Sequence, residues 1–206
     1  VNLACYLPGR AALLPLPTGS GQLENLSAYL VQKSSLGAVA AQGPGVVVFD
    51  ALYGPGLTMD SPANTNEDLH VPPKEIPALE QVIAELQLKD SGRKQALRAI
   101  TALFQDTNKF HYRTWQGPSR LRNTNETPLA RFLLRTRGGH CEHFATATVL
   151  LLRQLRIPAR YAVGYSVHEA SGRKYFLRQR DAHAWSLMWN SASETWHDFD
   201  TPPAIS

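Results

Sequence analysis

The segment from residue 141 to residue 155 restricts most strongly what this chain can fold into, because a helix over it would be apolar on nearly every side. Its apolar residues recur at spacings of three and four, and others fill the positions between them. They are Phe144, Ala147, Val149, Leu150, Leu151, Leu152 and Leu155. Such a helix has to be covered by other elements, so the sequence predicts a central, buried helix. Gly138 and Gly139 precede it, and Pro158 ends it.

The segments on either side of this helix indicate the fold class. Upstream, helical spacing predicts a helix over residues 77–88 and another after Ser91 as N-cap, and the pair Thr127 and Pro128 predicts a third helix start. Downstream, alternating runs predict strands over 161–167, 175–180, 184–190 and 195–200, with turns at HEASGRK and SASE. Helices followed by antiparallel strands are typical of an α+β fold.

The N-terminal third of the chain has a different pattern. Its Pro- and Gly-rich stretches, LPLPTGSG at 14–21 and GPG at 43–45 and 54–56, separate short extended runs such as VVVFDALY. A polar, turn-forming stretch follows at 61–68. We therefore predict a β-rich N-terminal region over residues 1–70 and a second domain over residues 71–206.

Composition and charge exclude several classes of protein. Hydrophobic residues make up 43% of the 206 residues, as in globular proteins, and no apolar run reaches the roughly 18 residues that span a membrane. The net charge is +4, with −5 in residues 1–88 and +9 in residues 89–206. The basic residues are scattered, so we predict no nucleic-acid binding. Because the chain begins at Val1 and shows no signal peptide, we expect a piece of a longer protein.

Cys141 lies between two histidines at the start of the predicted buried helix. A metal site would use His140, Cys141 and His143, but neighbouring helical positions point about 100° apart and converge poorly. A packed, inert thiol is a second interpretation, and it is the one we adopt for Cys5. A nucleophile is the third, since free N–H groups and the helix dipole favour a thiolate in the first turn. This stretch alone leaves the last two interpretations open.

A nucleophilic cysteine needs a base and an orienting group. Of the seven histidines, His183 is best placed, because it stands at the start of the alternating strand DAHAWSLMW. Asp198 and Asp200 are the candidate carboxylates. Because they are two residues apart, both side chains face the same side of a strand, and the strand pattern does not show which of them pairs with His183. Because a hairpin brings its outer ends together, we favour Asp200 and keep Asp198 in reserve.

Four blocks, GGHCEHFA, LLRQLRIPARYAVGY, DAHAW and WHDFDTPP, occur in this order within roughly residues 70–203. Together they resemble the bacterial transglutaminase-like superfamily. The resemblance implies a papain-like fold in which the central helix packs on an antiparallel sheet. It also implies a catalytic triad of Cys141, His183 and Asp200 in a catalytic domain over residues 71–206. The family's aspartate follows a tryptophan by four residues, as Asp200 follows Trp196, although Thr-Pro stands after it here instead of Pro-Thr.

The resemblance implies acyl transfer on a protein or peptide carboxamide through a thioester on Cys141. An amine acceptor gives transglutaminase activity, and water gives the alternative, a cysteine protease or amidase. A second alternative is a non-catalytic interaction module. We expect no cofactor, since no metal motif occurs. Many bacterial relatives hold this domain outside the cytoplasm beside transmembrane helices, so we expect a periplasmic domain, with a cytoplasmic one as the alternative.

Several further residues are interpreted as structural. Glu142 is expected to complement the helix dipole, Trp185 to pack beside the site and Arg160 to form an ion pair. Tyr112 and Trp115 are interpreted as packing residues, with the wall of a cleft as their alternative role.

Overall fold

The computed structural model describes residues 1–54, 58–114, 126–172 and 174–201. Its helices are α1 (Ile76–Glu85), α2 (Arg93–Gln105), α3 (Pro128–Arg131) and α4 (Cys141–Gln154). The N-terminal strands are β1 (Asn2–Tyr6), β2 (Ala11–Leu13), β3 (Ser20–Glu24), β4 (Leu30–Lys33), β5 (Val39–Gln42) and β6 (Val46–Tyr53). The later strands are β7 (His111–Tyr112), β8 (Gly138–Gly139), β9 (Ala159–Tyr165), β10 (Glu169–Ser171), β11 (Lys174–Phe176), β12 (Ala182–Asn190) and β13 (Thr195–Phe199).

The chain forms two compact units. The first comprises Val1–Pro62 with Asn190–Trp196, and the second comprises Ala63–Trp189 with His197–Ser206. The first unit contains two three-stranded sheets, in the orders β1-β6-β3 and β2-β5-β4. Their buried core consists of Leu7, Leu14, Val39, Ala41, Val47, Phe49 and Ala51. The predicted β-rich character of the N-terminal region is confirmed.

The second unit is built around α4. Eight of its residues are buried: Phe144, Ala145, Ala147, Thr148, Val149, Leu150, Leu151 and Leu152. The helix packs against β9, the edge strand of a three-stranded sheet in the order β13-β12-β9. The rings of Phe104, Phe110 and Phe132 lie 5.0–6.1 Å from that of Phe144, in the tilted arrangements that aromatic rings favour. The predictions of a central buried helix and of an α+β fold are confirmed.

Three local predictions differ from the observed elements. Helix α2 begins after Gly92, and Ser91 is not its N-cap, because the Ser91 hydroxyl donates instead to the Leu88 carbonyl at 3.0 Å. The segment HEASGRK is not a simple turn, because it contains β10 and the start of β11, which pair with each other in a separate two-stranded sheet. The strand predicted over 175–180 ends at Phe176, because that exposed hairpin buries neither face. The helix start at Thr127 is confirmed, since its hydroxyl accepts from the Ala130 N–H at 3.0 Å.

None of the described helices is both long enough and apolar enough to cross a membrane. Trp115, which was interpreted as a packing residue, lies outside the described residues.

The two glycines before α4 form β8, which pairs in parallel with β7. Tyr112 is thereby opposite Gly139 in the register, and the Arg113 N–H donates to the Gly139 carbonyl at 2.8 Å. A methyl group on Gly139 would lie 2.8 Å from Cβ of His143, whereas one on Gly138 would meet the flexible end of Arg113 at 3.2 Å. Glycine at position 139 therefore allows β8 to lie directly against the first turn of α4.

We predict that Gly139→Ala lowers the free energy of unfolding by about 1–3 kcal/mol, the usual cost of an added methyl group in a packed site. Gly138→Ala is the matched control. It should cost much less, because the Arg113 side chain can move aside. Urea unfolding of both variants measures the difference, and equal costs would contradict the close approach at Gly139.

Candidate active site

Cys141 is the first residue of α4, and its free thiol is partly buried. The preceding residue, His140, is the N-cap, and its side chain makes no capping hydrogen bond. The His140 carbonyl accepts from the N–H groups of His143 and Phe144 at 3.0 and 3.4 Å. Since the first N–H groups of a helix have no acceptor within the helix, the thiol lies beside donors that favour negative charge.

The two candidate carboxylates have different partners. Nε2 of His183 lies 2.7 Å from Oδ2 of Asp200, and the Trp185 indole N–H donates to Oδ1 of Asp198 at 2.8 Å. The Ser186 hydroxyl, on the same strand, donates to the Phe199 carbonyl. The structure therefore brings His183 together with Asp200, as the hairpin argument favoured, and assigns Asp198 to Trp185.

The indole of Trp185 also orients the imidazole. The His183 and Trp185 rings are stacked with their centroids 6.0 Å apart and their planes 13° from parallel. Gly164 lies opposite His183 in the β9–β12 register, and a methyl group there would lie 2.8 Å from the Trp185 ring. Trp185 packs beside the site, in agreement with the sequence interpretation.

Tyr112 lies within electrostatic range of both Cys141 and Asp200. Burial raises the pKa of the Tyr112 phenol above its ordinary value, and the charges of Cys141 and Asp200 raise it further. Hydrogen bonding to the Cys141 backbone lowers the pKa of the Tyr112 phenol, and hydrogen bonding to the Cys141 side chain raises it. One phenol therefore interacts with both Cys141 and Asp200. Among the contacts of the described residues, the His183 ring is hydrogen-bonded to Asp200, and Tyr112 is the residue whose pKa both Cys141 and Asp200 raise.

Tyr112 was interpreted from the sequence as a packing residue, with the wall of a cleft as its alternative role. Its ring does pack, parallel to Phe144 at a centroid distance of 6.4 Å, and Cys141 also acts on the pKa of its hydroxyl. The residue follows two positions after a buried phenylalanine in an extended segment. The parallel pairing of β7 with β8, which brings Tyr112 to the cysteine, has no signal in the sequence.

The two histidines beside the cysteine contact each other. Their rings meet edge to face with centroids 4.4 Å apart. Burial lowers the pKa of His143, the charge of His140 lowers it further, and Glu142 partly offsets both. Glu142 is exposed in the first turn of α4, as expected for a carboxylate that complements the helix dipole. Across the described ranges, no three His, Cys, Asp or Glu side chains converge as metal ligands.

A buried ion pair holds the start of β9. Arg160 donates to both carboxylate oxygens of Asp68 at 2.9 Å, and the two side chains are 6% and 2% exposed. The structural ion pair expected of Arg160 is confirmed. In the first unit, burial raises the pKa of the Cys5 thiol, which fits its interpretation as an inert residue.

A family model described as transglutaminase-like superfamily matches residues 80–201. The chain belongs to the transglutaminase-like superfamily. Its similarity to a protein-glutamine gamma-glutamyltransferase of Pseudomonas aeruginosa is 43% identity over 60 residues, which is 28% of this chain and 9% of that protein. The uncharacterised protein YebA of Bacillus subtilis is 33% identical over 85 residues, 38% of this chain and 11% of YebA. The matches thus span about a tenth of each relative.

Solved structures show the same transglutaminase-like fold. The periplasmic domain of TgpA from Pseudomonas aeruginosa superimposes with a TM-score of 0.72 and 21% identity, over 97% of this chain and 68% of that domain. The same domain bound to ethylmercury gives a TM-score of 0.71, with 70% of it covered. The predicted transglutaminase core, with a cysteine-bearing central helix packed on an antiparallel sheet, is confirmed.

We predict that the midpoint of Tyr112 ionisation lies above the value of about 10 for a free tyrosine, and that it falls in Cys141→Ala. A thiolate disfavours a second negative charge beside it, so removing the thiol eases formation of the phenolate. Burial remains, so the midpoint should stay above the free value.

Ultraviolet titration measures formation of the phenolate. It is done on the unaltered chain and on Cys141→Ala, each with and without Tyr112→Phe, and the difference isolates Tyr112 from the other six tyrosines. An unchanged midpoint in Cys141→Ala would contradict the contact between Tyr112 and Cys141.

Proposed function

We propose that residues 71–206 form a thiol-dependent acyltransferase domain that acts on side-chain carboxamides of proteins or peptides through a thioester on Cys141. The observation that carries this proposal is the 2.7 Å hydrogen bond between His183 and Asp200, in a superfamily member whose cysteine begins the buried helix α4. Superfamily members are usually enzymes. The interaction of Tyr112 with both Cys141 and Asp200 supports one common site.

The hydrogen bond assigns roles to the two ring nitrogens of His183. Nε2 donates its proton to Asp200, so Nδ1 has the lone pair that can accept the thiol proton. Asp200 orients the ring and stabilises the imidazolium that forms. Trp185 limits rotation of the ring by stacking on it.

In the first half-reaction, Sγ of Cys141 attacks the carboxamide carbon while His183 takes the thiol proton. The N–H groups at the start of α4 can hold the oxyanion of the tetrahedral intermediate. The C–N bond then breaks, His183 returns the proton to the leaving nitrogen, and ammonia departs from the thioester. In the second half-reaction, an amine attacks the thioester, His183 removes its extra proton, and the thiol is released.

The molecule that takes the acyl group from the thioester decides between transferase and hydrolase activity. The name of the Pseudomonas aeruginosa relative supports an amine acceptor. Water is the second candidate acceptor, because the Asp200 and His183 side chains are 43% and 22% exposed and solvent therefore reaches this pair. Hydrolysis of the thioester would make the domain an amidase or protease.

We also propose that the chain is an extracytoplasmic part of a longer bacterial protein. Two solved structures that share its fold are of a periplasmic domain. The curated relatives are about ten times as long as the matched segments, which leaves room in those proteins for further domains.

We predict rapid single alkylation of Cys141 by iodoacetamide at mildly acidic pH, because a thiolate reacts where a thiol does not. Intact-mass spectrometry should show this label vanish in Cys141→Ala and form at least about 10-fold more slowly in His183→Ala, which lacks the base. Cys5→Ala is the control and should label as the unaltered chain does. Slow labelling, equal at both cysteines and indifferent to His183, would favour a non-catalytic interaction module.

We predict that Asp200→Asn lowers kcat by at least about 100-fold, since the imidazole loses its orienting carboxylate. Asp198→Asn should cost less than about 10-fold, because its partner is Trp185. Incorporation of a fluorescent amine into an unfolded glutamine-containing protein measures transfer, and ammonia release without amine measures hydrolysis. Equal losses in the two variants would argue against the assignment of Asp200.

A further inference from the structure

Strand β9 is the edge strand of the sheet that carries His183. Its register with β12 is continuous and antiparallel. At one end the Trp189 N–H donates to the Pro158 carbonyl at 3.0 Å, and at the other the Ser166 N–H donates to the Asp181 carbonyl at 2.9 Å. Hydrogen-bonded positions alternate in an antiparallel pair. The even-numbered residues of β9 therefore bond to β12, and the odd-numbered ones direct their N–H and C=O groups away from it.

The first odd-numbered residue already uses this outer edge. The Ala159 N–H donates to the Asp68 carbonyl at 3.0 Å, and the Ala159 carbonyl accepts from Nε of Arg153 at 2.9 Å. Both bonds agree with the outward direction deduced from the register. Further along, no described residue pairs with the backbone of Tyr161, Val163 or Tyr165.

We call these three residues the open edge of β9. None of them is charged or a proline, so no side chain hinders the addition of another strand. They are 42%, 65% and 42% exposed. Natural edge strands are usually blunted by charged side chains, by proline or by a bulge. The open edge carries two tyrosines and a valine, and the β9–β12 register is free of bulges. Such an edge is the surface on which an extended peptide can add as a further strand.

The open edge begins beside the proposed nucleophile. Burial raises the pKa of the Tyr161 phenol, and the charges of Glu142 and Cys141 raise it further, so the first tyrosine of the edge lies within electrostatic range of the thiol. One strand away, His183 lies opposite Gly164 in the register. A peptide held along this edge would have its backbone fixed near the thiol and two strands away from the strand that carries His183.

We propose that the open edge of β9, from Tyr161 to Tyr165, binds an extended segment of the acyl-donor protein as an added β-strand and presents a side-chain carboxamide to Cys141. This inference rests on the proposed function for its chemistry, but strand addition is a binding event that can be measured without turnover. Backbone hydrogen bonds recognise any extended sequence, and the exposed apolar side chains favour apolar donor residues at alternate positions. The substrate class is therefore unfolded or extended segments rather than folded surfaces.

The first experiment uses the Cys141→Ala chain, which cannot form a thioester. Val163→Pro removes one outward N–H and leaves the hydrogen bonds to β12 intact, since proline is tolerated on the free side of an edge strand. Val163→Ala is the matched control, which shortens the side chain and keeps the N–H. Fluorescence anisotropy of a fluorescein-labelled seven-residue peptide with a central glutamine should give a Kd about 3- to 10-fold weaker for Val163→Pro, as expected for one or two lost hydrogen bonds, and within about 2-fold for Val163→Ala.

A second measurement leaves β9 unaltered and so does not depend on the fold of a variant. Peptides that are N-methylated at successive positions should bind weakly at every second position, because only alternate N–H groups of an added strand face β9. A flat response to N-methylation, or equal affinities of the two Val163 variants, would overturn the proposal. A dimer that Val163→Pro dissociates while peptide affinity stays unchanged would overturn it too, since a second copy would then occupy the edge.

The two proposals fail in different ways. Peptide binding with the expected alternation, in a chain whose Cys141 labels slowly, would support strand addition and overturn acyl transfer. Rapid, His183-dependent labelling together with a flat response to N-methylation would support acyl transfer and overturn strand addition.

Discussion

The burial of α4 is the constraint on which the second unit depends. Eight of its residues are buried, and close-packed interiors do not let such a helix shift without leaving cavities. The aromatic rings around Phe144 hold its N-terminal half, while Cys141, one turn earlier, stays partly accessible. The position of the thiol is therefore set by the packing of the core behind it, and its first-turn location supplies the N–H groups that favour negative charge.

The close approach of β8 to α4 decides which side chains lie near Cys141. Gly139 is needed because any side chain there would collide with His143, and its pairing with β7 brings Tyr112 alongside. A residue far away in sequence is thus placed against the cysteine by backbone pairing, and its side chain then stacks on Phe144. The same contacts that close the core also orient a phenol towards the thiol.

The three strands of the sheet beside α4 have different roles in the proposed site. Strand β13 provides Asp198 and is followed directly by Asp200, and the central strand β12 provides the indole and the imidazole that bind them. Strand β9 lies on the other side, anchored at its start by the buried pair of Asp68 and Arg160, and from Tyr161 onward none of the described residues pairs with its outer edge. The pair of Asp68 and Arg160 fixes only the start of β9. The open edge therefore lies further along the strand, near the residues of the proposed chemistry.

The sequence by itself determined the buried helix and the α+β order of elements, and its motifs single out Cys141, His183 and Asp200 as candidate residues, because apolar periodicity and short motifs are local properties of the chain. It also reached Asp200 through hairpin geometry, although two aspartates two residues apart look alike in any strand pattern. The tertiary structure alone decided that Asp198 pairs with Trp185, that Tyr112 lies within electrostatic range of the cysteine, and that no described strand pairs with the outer edge of β9. Each of these depends on pairing between segments distant in sequence, or on which strand lies at the margin of a sheet, and no local pattern encodes either one.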